Sequence, residues 1–193
     1  MDTSETINEH VAAYWRIKSA AEAAPTTAFA HLPPPAQKAL AFYMAVDGEA
    51  WVAVWEHLNS DTASIDDAMP WLIEHYGSYP IKLFDILTAD LKIVICDPES
   101  DLMIAGQHND WEVYHAWYMT SAQWSYEGRP RGKPAGSSEI WPVLLDFDNA
   151  DILQDGWHRF NQYAAEGLDT VPCLHFPDDS ASRAIQRTMG SST

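Results

Sequence analysis

The chain has 193 residues, 47% of them apolar and nine of them Trp, with a formal net charge of −17 at pH 7. That composition is globular and excludes a disordered chain, and no apolar run reaches the ~20 residues needed to span a bilayer. Acid is spread along the sequence rather than confined to a tail, so tight non-specific duplex binding is disfavoured and basic partners, or local contacts with nucleic acid, are expected.

The opening "MDTSETINEH" has no basic stretch followed by an apolar one, so no secretory signal is expected. Cys96 and Cys173 stand in no metal-ligand spacing and read as buried thiols of a cytoplasmic protein. In residues 4–24, Ile7, Val11, Tyr14/Trp15 and Lys18 recur at helical spacing, and Pro25 ends the run. "LPPP" precedes a second helix over 36–58, with Leu40, Tyr43/Met44, Trp51 and Trp55 on its apolar side and Asp47-Gly48 as a candidate interruption. Ser64 is a candidate N-cap for a third helix with acid in its first turn, and Gly77 a stop after Tyr76. Residues 1–78 therefore read as an all-helical extension.

The pattern changes at Tyr79. "YPIKLFDI" (79–86) alternates apolar and polar residues, and "LKIVICD" (91–97) is a short β-rich run, so both read as strands. Residues 109–127 return to helix, with Asn109 and Glu112 spaced as a capping box. "GRPRGKPAGSS" (128–138) is a breaker-rich loop. "IWPVLLDFD" (140–148) and "DILQD" (151–155) read as a hairpin around Asn149-Ala150. A helix from Trp157 stops at Gly167, and Val171-Pro172-Cys173-Leu174 forms the last strand. Residues 177–193 lack an apolar stripe and read as a weakly ordered tail. The fold class expected is α+β, a mixed domain at 79–176 behind the helical extension.

The candidate site is Gly156-Trp157-His158-Arg159. Amides at a helix start carry the positive end of the helix dipole and bind phosphate oxygens. Gly156 allows close approach, Arg159 supplies a cation that can grip two oxygens, and His158 supplies a donor or general acid. Trp157 is either core or a stacking surface. The plain alternative stays open: Asp155-Gly156 as an ordinary turn, Arg159 paired with Asp155 or Glu166, and His158 on the surface.

"ILQDGWHRFNQYAAEGLDTVPCL" resembles the signature of the ParB/sulfiredoxin superfamily, in which a strand ends in Asp-Gly, a His-Arg pair opens a helix, and a later Gly leads into a Val-Pro strand. "YPIKLFDI" is similar to its opening strand and "IWPVLLDFDNADILQDG" to its hairpin, so the likeness covers about half the chain, 79–176. The resemblance implies a ParB/sulfiredoxin-like fold, nucleotide phosphate (ATP or CTP) held at Gly156, Trp157, His158 and Arg159, and catalytic roles for Arg159 and His158. Trp157 stands where sulfiredoxins carry their catalytic Cys, so sulfiredoxin chemistry is not implied. Gln162 departs from the partition proteins' pattern. The helix at 109–127 offers Thr120 and Ser121 but no Lys, which leaves part of the family's phosphate pocket unmatched. No helix-turn-helix follows the domain, so a partition role is not expected. Small members on conjugative plasmids, the fertility-inhibition branch, are similar in size and acidity, and they imply ATPase or DNase activity that interferes with DNA transfer.

Two further groups complete the reading. Arg129, Arg131 and Lys133 form a basic loop that could track a single or transferred DNA strand, or merely solubilise the chain. Asp148 and Asp155, with Asp146 and Asp151, flank the hairpin and are weak candidates for Mg²⁺. The function expected is a phosphohydrolase acting on nucleotide or DNA. The alternative is a non-catalytic acidic interaction protein or DNA mimic that occupies a partner in DNA transfer or restriction.

Overall fold

Alternation along two strands sets the architecture. In the computed structural model, which describes residues 3–46, 65–95, 139–148 and 152–177, Leu144 and Leu174 join one apolar cluster while their neighbours Val143, Leu145 and Cys173 join another. Successive strand side chains point to opposite faces, so the sheet is buried on both sides and helices must cover each.

The elements run α1 (Thr3–Ala23), β1 (Thr26–Ala28), a 3₁₀ turn (Phe29–His31), α2 (Pro34–Val46), α3 (Ile65–Tyr76), β2 (Pro80–Leu87), α4 (Thr88–Ile95), β3 (Val143–Leu145), β4 (Leu153–Asp155), α5 (Trp157–Ala165) and β5 (Thr170–His175). The described residues thus hold five α-helices and a five-stranded mixed sheet of order β1-β2-β5-β3-β4. Only the β5–β3 pair is parallel. One face packs Ile81, Leu144, Leu174 and Phe176 against Phe29, Leu40, Met44 and Leu72 of the 3₁₀ turn, α2 and α3. The other packs Ile86, Val143, Leu145, Val171 and Cys173 against Ala13 and Ile17 of α1, Leu91 and Val94 of α4, and Phe160 and Tyr163 of α5. Cys173 is free and fully buried, and burial pushes its thiol well above the usual range, so it stays protonated.

The reading of residues 1–78 as helical throughout is corrected at 26–28. Pro25 breaks α1, and β-branched Thr26 and Thr27 pair with Lys82 and Ile81 to add β1 to the sheet. The strand expected at 91–97 is corrected too: residues 91–95 belong to α4. Thr88, Leu91, Val94 and Ile95 are buried at a 3–4 spacing that faces α1, and Asp90, also buried, suits the helix dipole in the first turn. A short apolar run carries either period, and here contact with α1 decides.

The third helix, its end before Gly77, the helix from Trp157 and the last strand stand where the sequence placed them; the strand expected at 79–86 runs 80–87, and the strands expected at 140–148 and 151–155 are confined to 143–145 and 153–155. Pro172 fits inside a central strand because β3 joins β5 only from Cys173 onward, so at Pro172 the neighbour is β2 alone. The second helix beyond 46, the helix at 109–127, the loop at 128–138 and the tail from 178 lie outside the described residues. Among the described residues, no helix is long and apolar enough to cross a membrane.

Candidate functional site at the strand–helix turn

β4 ends at Asp155, and one residue later the chain enters α5. Gly156 makes that corner with φ 99° and ψ 19°, in the left-handed region where other residues are strained. Space enforces the same choice: a Cβ on Gly156 would lie 2.9 Å from both Val143 Cγ1 and Arg159 Nη2. No side chain caps α5, and the Phe160 amide closes the first helical bond on the Gly156 carbonyl at 2.8 Å. A left-handed residue followed by right-handed ones turns successive amides toward one point, a backbone concavity of the kind that holds anions, and the helix dipole reinforces it.

Arg159 lies beneath this corner. Its side chain is 4% exposed, and Nη2 donates to Asp155 Oδ2 at 2.7 Å. The pair spans i to i+4 across the turn, so it ties the end of β4 to the first turn of α5. Glu166, the other acid within reach in sequence, accepts from Gln162 at 2.7 Å. Arg159 Nε is buried and makes no hydrogen bond among the described residues, which leaves one donor of the guanidinium uncompensated there. Trp157 and His158 are half-buried, and the Trp157 ring packs on the sheet face shared with α1.

Behind the turn, α5 is fixed by Tyr163. The Trp141 amide donates to the Tyr163 hydroxyl at 2.9 Å, and that hydroxyl donates to the Trp141 carbonyl at 3.0 Å. Burial raises the phenol above its usual range, opposed by the Trp141 bond. Asn161, fully buried, donates to the Trp157 carbonyl at 2.8 Å.

The four residues singled out at 156–159 thus meet at one corner. The carboxylates do not gather around them. Asp155 is taken by Arg159, and Asp146 accepts from the Asp148 amide in an exposed turn at 3.0 Å. Asp151 and the basic residues Arg129, Arg131 and Lys133 lie outside the described residues. Among the described residues, no group of three or more His, Cys, Asp or Glu side chains is arranged to hold a metal.

No protein-family model, curated protein or solved structure matches the chain.

Two features of the structure were missed in the sequence. The sequence reading gave Tyr163 no role; its hydroxyl finds Trp141 only through tertiary packing. Lys82 and His175 stand directly opposite each other on β2 and β5. Their positions near a strand start and a strand end were visible, but their pairing needed the register.

Proposed function

We propose that this chain is a ParB/sulfiredoxin-like domain that binds the phosphate of a nucleotide, ATP or CTP, or of DNA at the amides of Gly156 to Arg159. The observation that carries the reading is the buried Arg159, anchored on Asp155 with Nη2 close to a left-handed glycine at a helix start and with Nε lacking a partner among the described residues. In this arrangement the amides are the ligands. Arg159 holds the concavity open and adds positive charge from below. Strand 80–87, the antiparallel pair of strands 143–145 and 153–155, helix 157–165 and strand 170–175 follow in the order the resemblance requires, which supports the family reading.

Hydrolysis at this turn, with His158 moving a proton or orienting water and Arg159 stabilising charge, and with Mg²⁺ as a helper, is part of the proposal and is tested separately from binding. A role in fertility inhibition, with single-stranded or transferred DNA or a DNA-transfer protein as partner, is the biological form of the same proposal.

A second reading is favoured by the same ion pair. Arg159 and Asp155 neutralise each other, so the turn can be a structural lock, and the chain, with its net charge of −17, would then act as an acidic binding protein on a basic partner. Titration with ATP, CTP and a short DNA strand, followed by backbone amide shifts, separates the two. The phosphate reading expects saturable shifts at 156–159. Absence of any response there at millimolar nucleotide overturns it in favour of the acidic binding protein. Turnover of bound nucleotide, compared between wild type and a folded Arg159→Ala, then tests hydrolysis: a catalytic Arg159 implies a loss of on the order of 10²-fold.

A further inference from the structure

A cavity of 160 Å³ opens between α1 and the sheet, lined by Lys18 and Glu22 of α1, Lys82 of β2, His175 of β5 and Phe147 after β3. It lies at the Leu145 end of β3, where β5 reaches His175; the Gly156 corner sits against Val143 at the other end of that strand. The two sites are therefore separate. Lys82 and His175 are cross-strand partners, so both side chains rise from the same sheet face, the one α1 crosses.

The chemistry of the wall is cationic. Lys82 Nζ donates to the Ala21 and Glu22 carbonyls at 2.8 and 2.9 Å, capping the C-terminal end of α1. An ammonium has three donors. The third has no partner among the described residues. Lys18 Nζ stands 5.6 Å from the centre of the Phe147 ring and makes no hydrogen bond or ion pair among the described residues. His175 is 6% exposed, and its Nδ1 faces the Leu145 carbonyl at 3.2 Å. A carbonyl only accepts, so that nitrogen carries the proton. Phe147 packs edge-on against the His175 ring at 4.7 Å and closes the wall. Glu22 supplies one carboxylate, so the two ammonium groups outnumber it. In a chain with 28 acidic residues against 11 Lys and Arg, two ammonium groups with spare donors meeting at one small cavity need an explanation in binding.

We propose that this cavity is a binding site for a compact oxyanion of the phosphate or carboxylate type, held by Lys18 and the third N–H of Lys82. The cavity volume suits one such group rather than a whole nucleotide. The anion would also join α1 to β2, because its two cationic contacts come from these two elements.

The test is a titration of the full chain with inorganic phosphate, and in a parallel arm with acetate, following amide shifts against sodium chloride at equal ionic strength. The expected result is saturation at Lys82, Phe147 and His175 at concentrations up to about 10 mM, enough to fill a site of about 1 mM affinity. The arm that saturates at the lower concentration identifies the oxyanion. Lys18→Met should weaken binding about tenfold while Lys18→Arg retains it, as expected for loss and retention of one charge-assisted contact. Lys18 is the residue to vary because its ammonium makes no hydrogen bond among the described residues; should Lys18→Met fail to fold by circular dichroism, Lys18→Gln replaces it. Shifts equal to those in chloride, or Lys18→Met binding as wild type does, would overturn the proposal. Shifts confined to 156–159 would overturn it too, while supporting the phosphate-turn reading. Failure of that reading instead leaves the amides at 156–159 silent without affecting those at Lys82 and His175.

Discussion

Gly156 and Arg159 constrain each other. The glycine must lack a side chain because the guanidinium and Val143 fill the space a Cβ would take, and its φ of 99° adds backbone strain for any other residue. Gly156→Ala should therefore cost about 2 kcal/mol or more, combining the left-handed penalty with the close contacts. Urea denaturation should show a lower midpoint at unchanged slope. Arg159→Met leaves the Asp155 carboxylate, 16% exposed, without its partner. Removing one member of such a pair typically costs about 3 kcal/mol, whereas removing both costs much less. Arg159→Met and Asp155→Leu should each destabilise strongly, and the double variant should recover part of the loss. An additive double variant would show that the pair is not coupled.

Elements here are held by a few polar ties between apolar faces. Tyr163 is the tie between α5 and the segment before β3, and Tyr163→Phe leaves both the Trp141 amide and carbonyl without it. The expected loss is about 2 kcal/mol, read as a fall in Tm of roughly 4–8 °C. The same residue gives a pH dependence. Burial raises the folded-state phenol above its ordinary 10.0, so the folded chain keeps a proton that the unfolded chain loses. This contribution is intact below about pH 10 and declines as pH rises through the folded-state value. Stability curves of wild type and Tyr163→Phe should converge as the solution becomes more alkaline; a constant gap above pH 10 would contradict the buried phenol. In the middle of α1, Arg16 forms a two-point bond to Asp90 at 3.0 and 2.6 Å, which seats α4 on α1 in the place where the sequence suggested a strand. The hydrogen bond to Asp90, with its opposite charge as a lesser cause, raises the Arg16 guanidinium above its usual range.

For the whole molecule, self-repulsion is the dominant electrostatic fact. With a net charge of −17, added salt should screen the folded chain against itself. Tm should rise between about 10 mM and about 150 mM sodium chloride, across which the screening length drops from roughly 30 to roughly 8 Å. A flat or falling Tm in that range would show that native ion pairs such as Arg159–Asp155 and Arg16–Asp90 outweigh the repulsion. A further rise with phosphate over chloride at equal ionic strength would reflect binding of the anion to the folded chain.

Local chemistry carried most of the site. Asp155-Gly156 before an apolar helical stripe specifies a corner by itself, because only glycine enters the left-handed region freely and the stripe starts one residue on. The same logic located α1, α3, β2, the hairpin and β5, where period, Pro25, Gly77 and Gly167 agree with one another. What sequence could not decide was whatever depends on a neighbour distant in the chain. Residues 91–95 have the composition of a strand and become a helix because α1 offers a helical groove and the Arg16 bond. Thr26-Thr27 becomes a strand because β2 has an open edge. Asp155, rather than Glu166, takes Arg159 because β4 delivers its carboxylate under the turn, while Glu166 sits past the end of α5. Sequence determined the alternation of elements, the corner at Gly156 and the excess of acid, all of which follow from adjacent residues. Only the tertiary structure decided which of the described cations are consumed by internal pairs and which, Lys18 and Lys82, keep donors to spare among the described residues, because that depends on register and packing across the sheet.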